Sequence, residues 1–325
     1  MSNVMTTARN PIVFAVGCAR SGTTLLQRML DNHPDLAVAN DTHFILSAID
    51  KAMLDDGNDP ILTAQIVDDT LSYYRFSRLG VNEAEVRAAA ENARTYSRFV
   101  SNLYDVFGSL HGKPFAGEKT PSYCASIPKL SGLFPDAKFI HLMRDGRDVA
   151  LSVLEWADRR DRKRGPAKLE FWEQDPLATT ALWWSWTVRR AMEGADLVGP
   201  DLALTLNHHE LVVDSEGSMR RVCDFLGLRY SDSMTRYFEG KENRDGRGSA
   251  KWRWLRPTPG LRDWRTQMSL EDREVFSGLA GDVLEAAGYD PKSPVAGESA
   301  NRRIEAARAW SLNNGALAGT SFQTA

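Results

Sequence analysis

The sequence predicts an α/β protein in which a parallel β-sheet is flanked by helices, and three observations carry that expectation. Residues 11–17, PIVFAVG, form a short apolar run rich in β-branched and aromatic residues that ends at glycine and passes at once into a helical pattern. Residues 138–143, KFIHLM, repeat the arrangement across a tight Asp-Gly turn, and residues 202–206, LALTL, read as a third strand. Strands that alternate with helices pair in parallel, and the crossover helices then cover both faces of the sheet.

Taken in order, residues 1–10 are polar and are expected to form a flexible N-terminus, with a single domain over 11–297. In SGTTLLQRMLDNHP the apolar residues Leu25, Leu26, Met29 and Leu30 recur at helical spacing, and the helix should stop before Pro34. A second amphipathic helix is expected from Asp41 to about Leu54. From about residue 50 to 112 the pattern is mostly helical, with Ala, Glu and Arg dominating 83–98, which predicts a helical insertion after the first strand-loop-helix unit. The stretch Arg147 to Trp156 reads as the helix after the second strand. Ser218 to Leu226 reads as another, ended by Gly227. Residues 240–259 are expected as a loop, 270–287 as helix, and 298–325 as a flexible polar tail that contributes little.

Composition narrows the function. The 325 residues are 42% hydrophobic and 26% charged, the mix of a globular protein rather than a disordered or fibrous one. Forty Lys and Arg against forty-three Asp and Glu leave a net charge of -3, so no global basic field points to nucleic acid, and any anion site must be local. Cys18, Cys124 and Cys223 have no paired spacing, which argues against a disulfide framework and a structural zinc site and for a reducing, cytoplasmic setting. No apolar stretch approaches the ~18 residues of a membrane span, and none at the N-terminus resembles a secretory signal.

The string GCARSGTT, from Gly17 to Thr24, joins a strand end to a helix start, where backbone N–H groups and the helix dipole favour an anion. Glycine, four residues, glycine and two threonines match a phosphate loop and make the sheet P-loop-like, except that Thr23 stands where nucleotide triphosphatases carry lysine. Arg20 offers a different cation, able to clamp an oxyanion bidentately. Together with Ser21, Gly22, Thr23 and Thr24 it forms the candidate anion cradle.

GCARSGTTLLQRMLDNHP resembles the loop of sulfotransferases that use 3′-phosphoadenosine 5′-phosphosulfate (PAPS), and KFIHLMRDGRDVALS resembles their 3′-phosphate-binding segment. The resemblance implies that Arg144 and Ser152 hold the 3′-phosphate. A strand-end arginine and a serine in the next helix can converge on one phosphate beside the first loop on physical grounds as well. GEKTPSY, HHELVVDSE and GLRDWRTQMS extend the resemblance over residues 11–290, whereas 50–112 and 157–180 are not covered by it. His208 stands where relatives carry a tyrosine near the purine, so adenine recognition stays unassigned.

The resemblance implies PAPS as donor, no metal, and a small-molecule, glycan or lipid acceptor of unspecified identity. Sulfuryl transfer needs in-line alignment, neutralised oxygens and removal of the acceptor proton; phosphoryl transfer, where positioning and electrostatics do most of the work, is the nearest template. EKTPSY resembles the segment carrying the lysine at the bridging oxygen, which makes Lys119 that cation. Asp41 falls where tyrosylprotein and heparan-type members place a catalytic glutamate, although it also stands where it could cap a helix. His43 is the alternative base. The segment Lys241 to Arg265 carries eight Lys or Arg, and Gly246 and Gly248 would let Lys251 and Arg256 close over the cofactor, as a basic loop does in the family. Phe171, Trp172, Trp183, Trp184 and Trp186 could line an acceptor pocket, yet aromatics this dense more often fill a core. A P-loop kinase-like phosphotransferase and a noncatalytic nucleotide-binding module are the alternatives.

Overall fold

The computed structural model describes residues 10–51, 59–158, 169–241, 254–291 and 296–314. Five strands, β1 (Val13–Val16), β2 (Leu36–Asn40), β3 (Phe115–Lys119), β4 (Lys138–Met143) and β5 (Ala203–Asn207), form one parallel sheet in the order β2-β3-β1-β4-β5. β1 is central because both its faces are apolar. Phe14 and Val16 pack into one core with Phe139, while Val13 and Ala15 pack into another with Ile140, Leu142 and Leu206. A strand covered on both sides loses the polar alternation of an exposed one, which is why PIVFAVG is a continuous apolar run.

The helices are α1 (Thr23–Asp31), α2 (Phe44–Lys51), α3 (Ala64–Ser72), α4 (Glu83–Glu91), α5 (Tyr96–Leu110), α6 (Ile127–Leu133), α7 (Gly146–Asp158), α8 (Pro176–Val198), α9 (His208–Val213), α10 (Ser215–Leu226), α11 (Trp264–Gln267), α12 (Leu270–Ala286) and α13 (Glu298–Asn314). α3 to α5 form the expected insertion. Their starts are set locally: α4 opens on a reciprocal capping box between Asn82 and Glu85, and Thr95 caps α5. α5 then buries Tyr96, Phe99, Val100, Leu103 and Phe107 at helical spacing, each large side chain contributing about 1.5–3 kcal/mol. Among the described residues no helix is long and apolar enough to cross a membrane.

Two expectations are corrected. The second helix starts at Phe44, not Asp41, because Asp41 and His43 both take φ 58, a left-handed conformation that a helix cannot continue. Asp41 is therefore not a helix cap. It follows β2, a strand absent from the expected elements. Nor is the stretch after residue 298 a loose tail as far as residue 314. α13 buries Ala300, Ile304 and Ala307 against α12 and α8, and Arg303 reaches Asp175, Glu271 and Asp272. Small alanines carry most of that seam, so its apolar signal is faint. Phe171, Trp172, Trp183 and Trp184 are buried in the same core, shared by α7, α8, α12 and α13. They are packing residues.

Candidate active site

All five strands are parallel, so their C-terminal ends open on one edge, and the sheet order reverses beside β1, where ligands of open α/β sheets bind. The loop after β1 leads into α1 through Gly22, which has φ 92 and offers no side chain to cap the helix. The first N–H groups of α1 are thus left for an incoming anion. Ser21 is fully buried, yet its Oγ has no hydrogen-bond partner. A buried hydroxyl without a partner is costly, and an oxyanion in the loop would satisfy it.

Three predicted anion-binding side chains meet here. Arg20 Nε donates to Ser152 Oγ at 3.2 Å, and Arg144 Nη1 donates to the Arg20 carbonyl at 3.4 Å. Arg144 is held from behind by Asp148, 3.7 Å away, whose other oxygen accepts the Trp264 N–H at 3.0 Å. Burial pulls the Arg144 guanidinium below its ordinary pKa while Asp148 pulls it back, and its Nε is buried without a partner. His208, at the end of β5, sits so close to the loop that a Cβ on Gly22 would lie 2.4 Å from its ring.

On the other side of β1, Lys119 ends β3 almost fully buried, and its Nζ donates to Asp41 Oδ1 at 2.7 Å. The two residues are also joined through the backbone, Asp41 N to Lys119 O at 2.8 Å. The neighbouring Glu118 points to the opposite face of β3 and is buried too. Its carboxylate accepts from the backbone N–H of Thr42 and His43, at 3.1 and 3.4 Å, and from the hydroxyls of Thr42, Thr120 and Tyr104. Burial raises the Glu118 pKa and these donors oppose the rise. The effect is to clamp the turn from Asp41 to His43. Among the described residues the only non-glycine residues with positive φ are Arg20, Asp41 and His43, and all three lie at this edge. Strain concentrated in this way is characteristic of functional sites.

His43 is pulled down to about 3 by burial first, then by the charge of Arg75, with Asp41 opposing. Its Nδ1 lies 3.5 Å from Ser122 Oγ.

The family model described as "Sulfotransferase family" matches residues 11–232, a span that holds all five strands, the loop and the Lys119–Asp41 pair. The chain belongs to the sulfotransferase family. Protein-tyrosine sulfotransferase A of Caenorhabditis elegans is 24% identical over 225 residues, which cover 69% of this chain and 52% of that protein. Omega-hydroxy-beta-dihydromenaquinone-9 sulfotransferase Stf3 of Mycobacterium bovis is 23% identical over 331 residues, covering 89% and 78%. The chain spans about half the length of the first of these relatives. Among solved structures, the sulfotransferase domain from the Synechococcus PCC 7002 olefin synthase superposes with a TM-score of 0.57 at 22% identity, over 86% of this chain and 94% of that one, a likeness of fold.

In this member of the family Arg20, Ser21, Gly22, Thr23, Thr24, Arg144 and Ser152 gather on one side of β1, and Asp41, His43 and Lys119 on the other. Arg244, Gly246, Arg247, Gly248 and Arg253 of the basic segment lie outside the described residues. Lys251 lies outside the described residues, and Arg256 is exposed with its guanidinium 5.0 Å from the Phe238 ring. Trp254 is flanked by Arg28 at 4.1 Å and Lys241 at 4.6 Å, while Arg262 pairs with Glu155. Among the described residues of the segment, Lys241 and Arg256 lie against aromatic rings and Arg262 against an acid. Sequence reasoning passed over Glu118, although it adjoins Lys119 in the motif, because glutamate in a short segment is ordinarily exposed. It passed over Arg78, whose Nη1 donates to the Asp41 carbonyl at 2.9 Å, because no motif contains it.

Proposed function

We propose that this chain transfers a sulfuryl group from PAPS to a hydroxyl of a small-molecule, glycan or lipid acceptor. The observation that carries the reading is the buried Lys119–Asp41 pair facing, across β1, an anion loop whose polar groups are incomplete. The residues fit the donor: Ser21 Oγ and the N-terminal amides of α1 suit its 5′-phosphosulfate, and Arg144 with Ser152 suits its 3′-phosphate. When bound, the donor supplies an activated sulfuryl group, with 3′,5′-adenosine bisphosphate (PAP) as leaving group.

The chain's own residues do the remainder. Asp41 takes the proton of the acceptor hydroxyl as its oxygen bonds to sulfur. Lys119 and Arg20 carry the negative charge that grows on the oxygen released from sulfur. Such preorganised donors act strongly in a buried site, each worth about 3–4 kcal/mol of barrier by analogy with oxyanion holes. His43 remains neutral and weakly basic, held near 3 by burial and Arg75, which favours Asp41 as the base. Thr23 in place of the triphosphatase lysine weighs against a kinase. The acceptors in the relatives' names, a protein tyrosine and an omega-hydroxy menaquinone, both offer a hydroxyl.

The test is thermal stability against PAP, ATP, and ATP with magnesium. PAP at a hundred times its Kd should stabilise by about 2.7 kcal/mol without magnesium, and Arg144→Ala should lose that shift. A shift seen only with ATP and magnesium would overturn the reading in favour of a kinase. The cradle itself makes a second prediction. Gly22→Ala combines a left-handed φ with a methyl 2.4 Å from the His208 ring, so it should cost more than about 1 kcal/mol of stability and weaken PAP binding. Adding His208→Ala should recover part of the stability; no recovery in the double variant would show that the ring is not the obstacle.

A further inference from the structure

We infer that Glu118 and Arg78 are positioning residues for the transfer, holding the turn at residues 41–43 so that the Asp41 carboxylate stays beside Lys119, an inference that deepens the reaction proposed above and rests on it. Asp41 and His43 both take φ 58, a conformation that residues other than glycine keep only where their surroundings hold them. Here the backbone is gripped group by group. The Asp41 N–H donates to the Lys119 carbonyl at 2.8 Å, and the Asp41 carbonyl accepts from Arg78 Nη1 at 2.9 Å. The N–H groups of Thr42 and His43 both donate to Glu118 Oε1, at 3.1 and 3.4 Å.

Glu118 is fully buried, and the hydroxyls of Thr42, Thr120 and Tyr104 complete its set of donors. A carboxylate is costly to enclose, and a leucine would fill the same core at less cost. What leucine could not do is accept the two backbone N–H groups that follow Asp41. β3 thereby fixes the base twice: Glu118 holds its turn from one face of the strand, and on the other face Lys119 Nζ meets Asp41 Oδ1 at 2.7 Å. Arg78 supplies the remaining grip from the insertion. Its 3₁₀ turn, Phe76–Leu79, is anchored by the buried Leu79 and by Phe76, whose ring meets that of Phe44 edge-on at 5.1 Å, while Arg78 itself is exposed. Both residues act through Asp41. With either grip lost, the turn relaxes toward negative φ and the carboxylate swings from its place, and a displacement of about 1 Å at a reacting group can cost about 10²-fold in rate.

The experiment measures PAP release from PAPS with a phenol, a primary alkyl alcohol and a methyl glycoside as acceptors, beside the thermal shift with PAP. Arg78→Met should lower kcat about 10-fold and Glu118→Leu about 100-fold, with acceptor KM and the PAP shift little changed. Arg78→Lys should recover part of the loss. Glu118→Gln should recover most of it, because the amide oxygen can take both N–H groups while its NH₂ donates to the hydroxyls of Thr42 and Tyr104. The deciding readout is the background of Asp41→Asn, in which Arg78→Met should lower kcat by less than about 2-fold further, since residues that act as a unit are not additive. A full loss in that background, or wild-type kcat in Arg78→Met, would overturn the inference and leave the transfer standing. Should Glu118→Leu fail to fold, the Arg78 variants decide the matter. A wild-type protein that shifts with PAP but transfers to none of the three acceptors loses the proposed transfer, and the positioning role with it.

Discussion

Asparagine in place of Asp41 is expected to lower turnover by about 10²–10⁴-fold while leaving the thermal shift with PAP unchanged. The substitution removes the proton acceptor and little else. Asparagine tolerates the left-handed φ of 58 that position 41 adopts, and its side-chain oxygen can still accept from Lys119. Alanine is the poorer choice, because it would leave the almost fully buried Lys119 ammonium without its partner, at a cost of about 3–5 kcal/mol. A loss of activity in Asp41→Ala would then mix chemistry with unfolding. His43→Gln serves as the comparison, since its ring is too weakly basic to take the proton and its replacement should cost far less turnover. Full turnover by Asp41→Asn together with collapse of His43→Gln would exchange the two roles.

Acid should unfold the protein through its buried histidines. His141, at the middle of β4, is fully buried with both ring nitrogens unpaired, and burial lowers it to about 4. The unfolded chain takes up a proton below about 6.5, which the folded ring refuses until about 4. The stability is therefore complete above about pH 6.5 and is lost as the pH falls toward 4. From pH 7 to pH 5 His141 alone accounts for about 2 kcal/mol, at about 1.4 kcal/mol per pH unit. His43 and His208, both held near 3 chiefly by burial and both partly exposed, add in the same direction. Glu118, whose pKa burial raises, works against them, because the folded state binds its proton earlier. His141→Leu isolates the main contribution without breaking a hydrogen bond. Its loss of stability between pH 7 and pH 5, from urea midpoints, should be smaller than wild type by about 2 kcal/mol. Equal losses in the two proteins would mean that His141 does not fold neutral.

Much of the site's donor half could be read from the chain because it is encoded locally. A run such as VFAV must be a covered strand, and glycine before TTLLQRML must open a helix, so the loop and its anion preference follow from neighbours in sequence. The same holds for KFIHLM and the RDG turn that positions Arg144. The β2 strand escaped notice since five residues of modest hydrophobicity, LAVAN, become a strand only by pairing with β3 along its whole length. The misplaced start of α2 has the same origin: local propensity extends the helix back to Asp41, whereas the Glu118 carboxylate holds that turn in a left-handed form.

By itself, then, the sequence determined the α/β class and the strand-to-helix loop, and it singled out Lys119 with Asp41 or His43 as candidates for the chemistry. Only the tertiary structure decided that Lys119 and Glu118 are both buried on opposite faces of one strand, that Arg20 meets Ser152 across 132 residues, and that Arg78 of the insertion reaches the backbone carbonyl of Asp41. The reason is physical. Strand, loop and cap preferences are set by a residue and its near neighbours, whereas the charge state, strain and partners of a buried ionisable group depend on whatever distant chain removes its water.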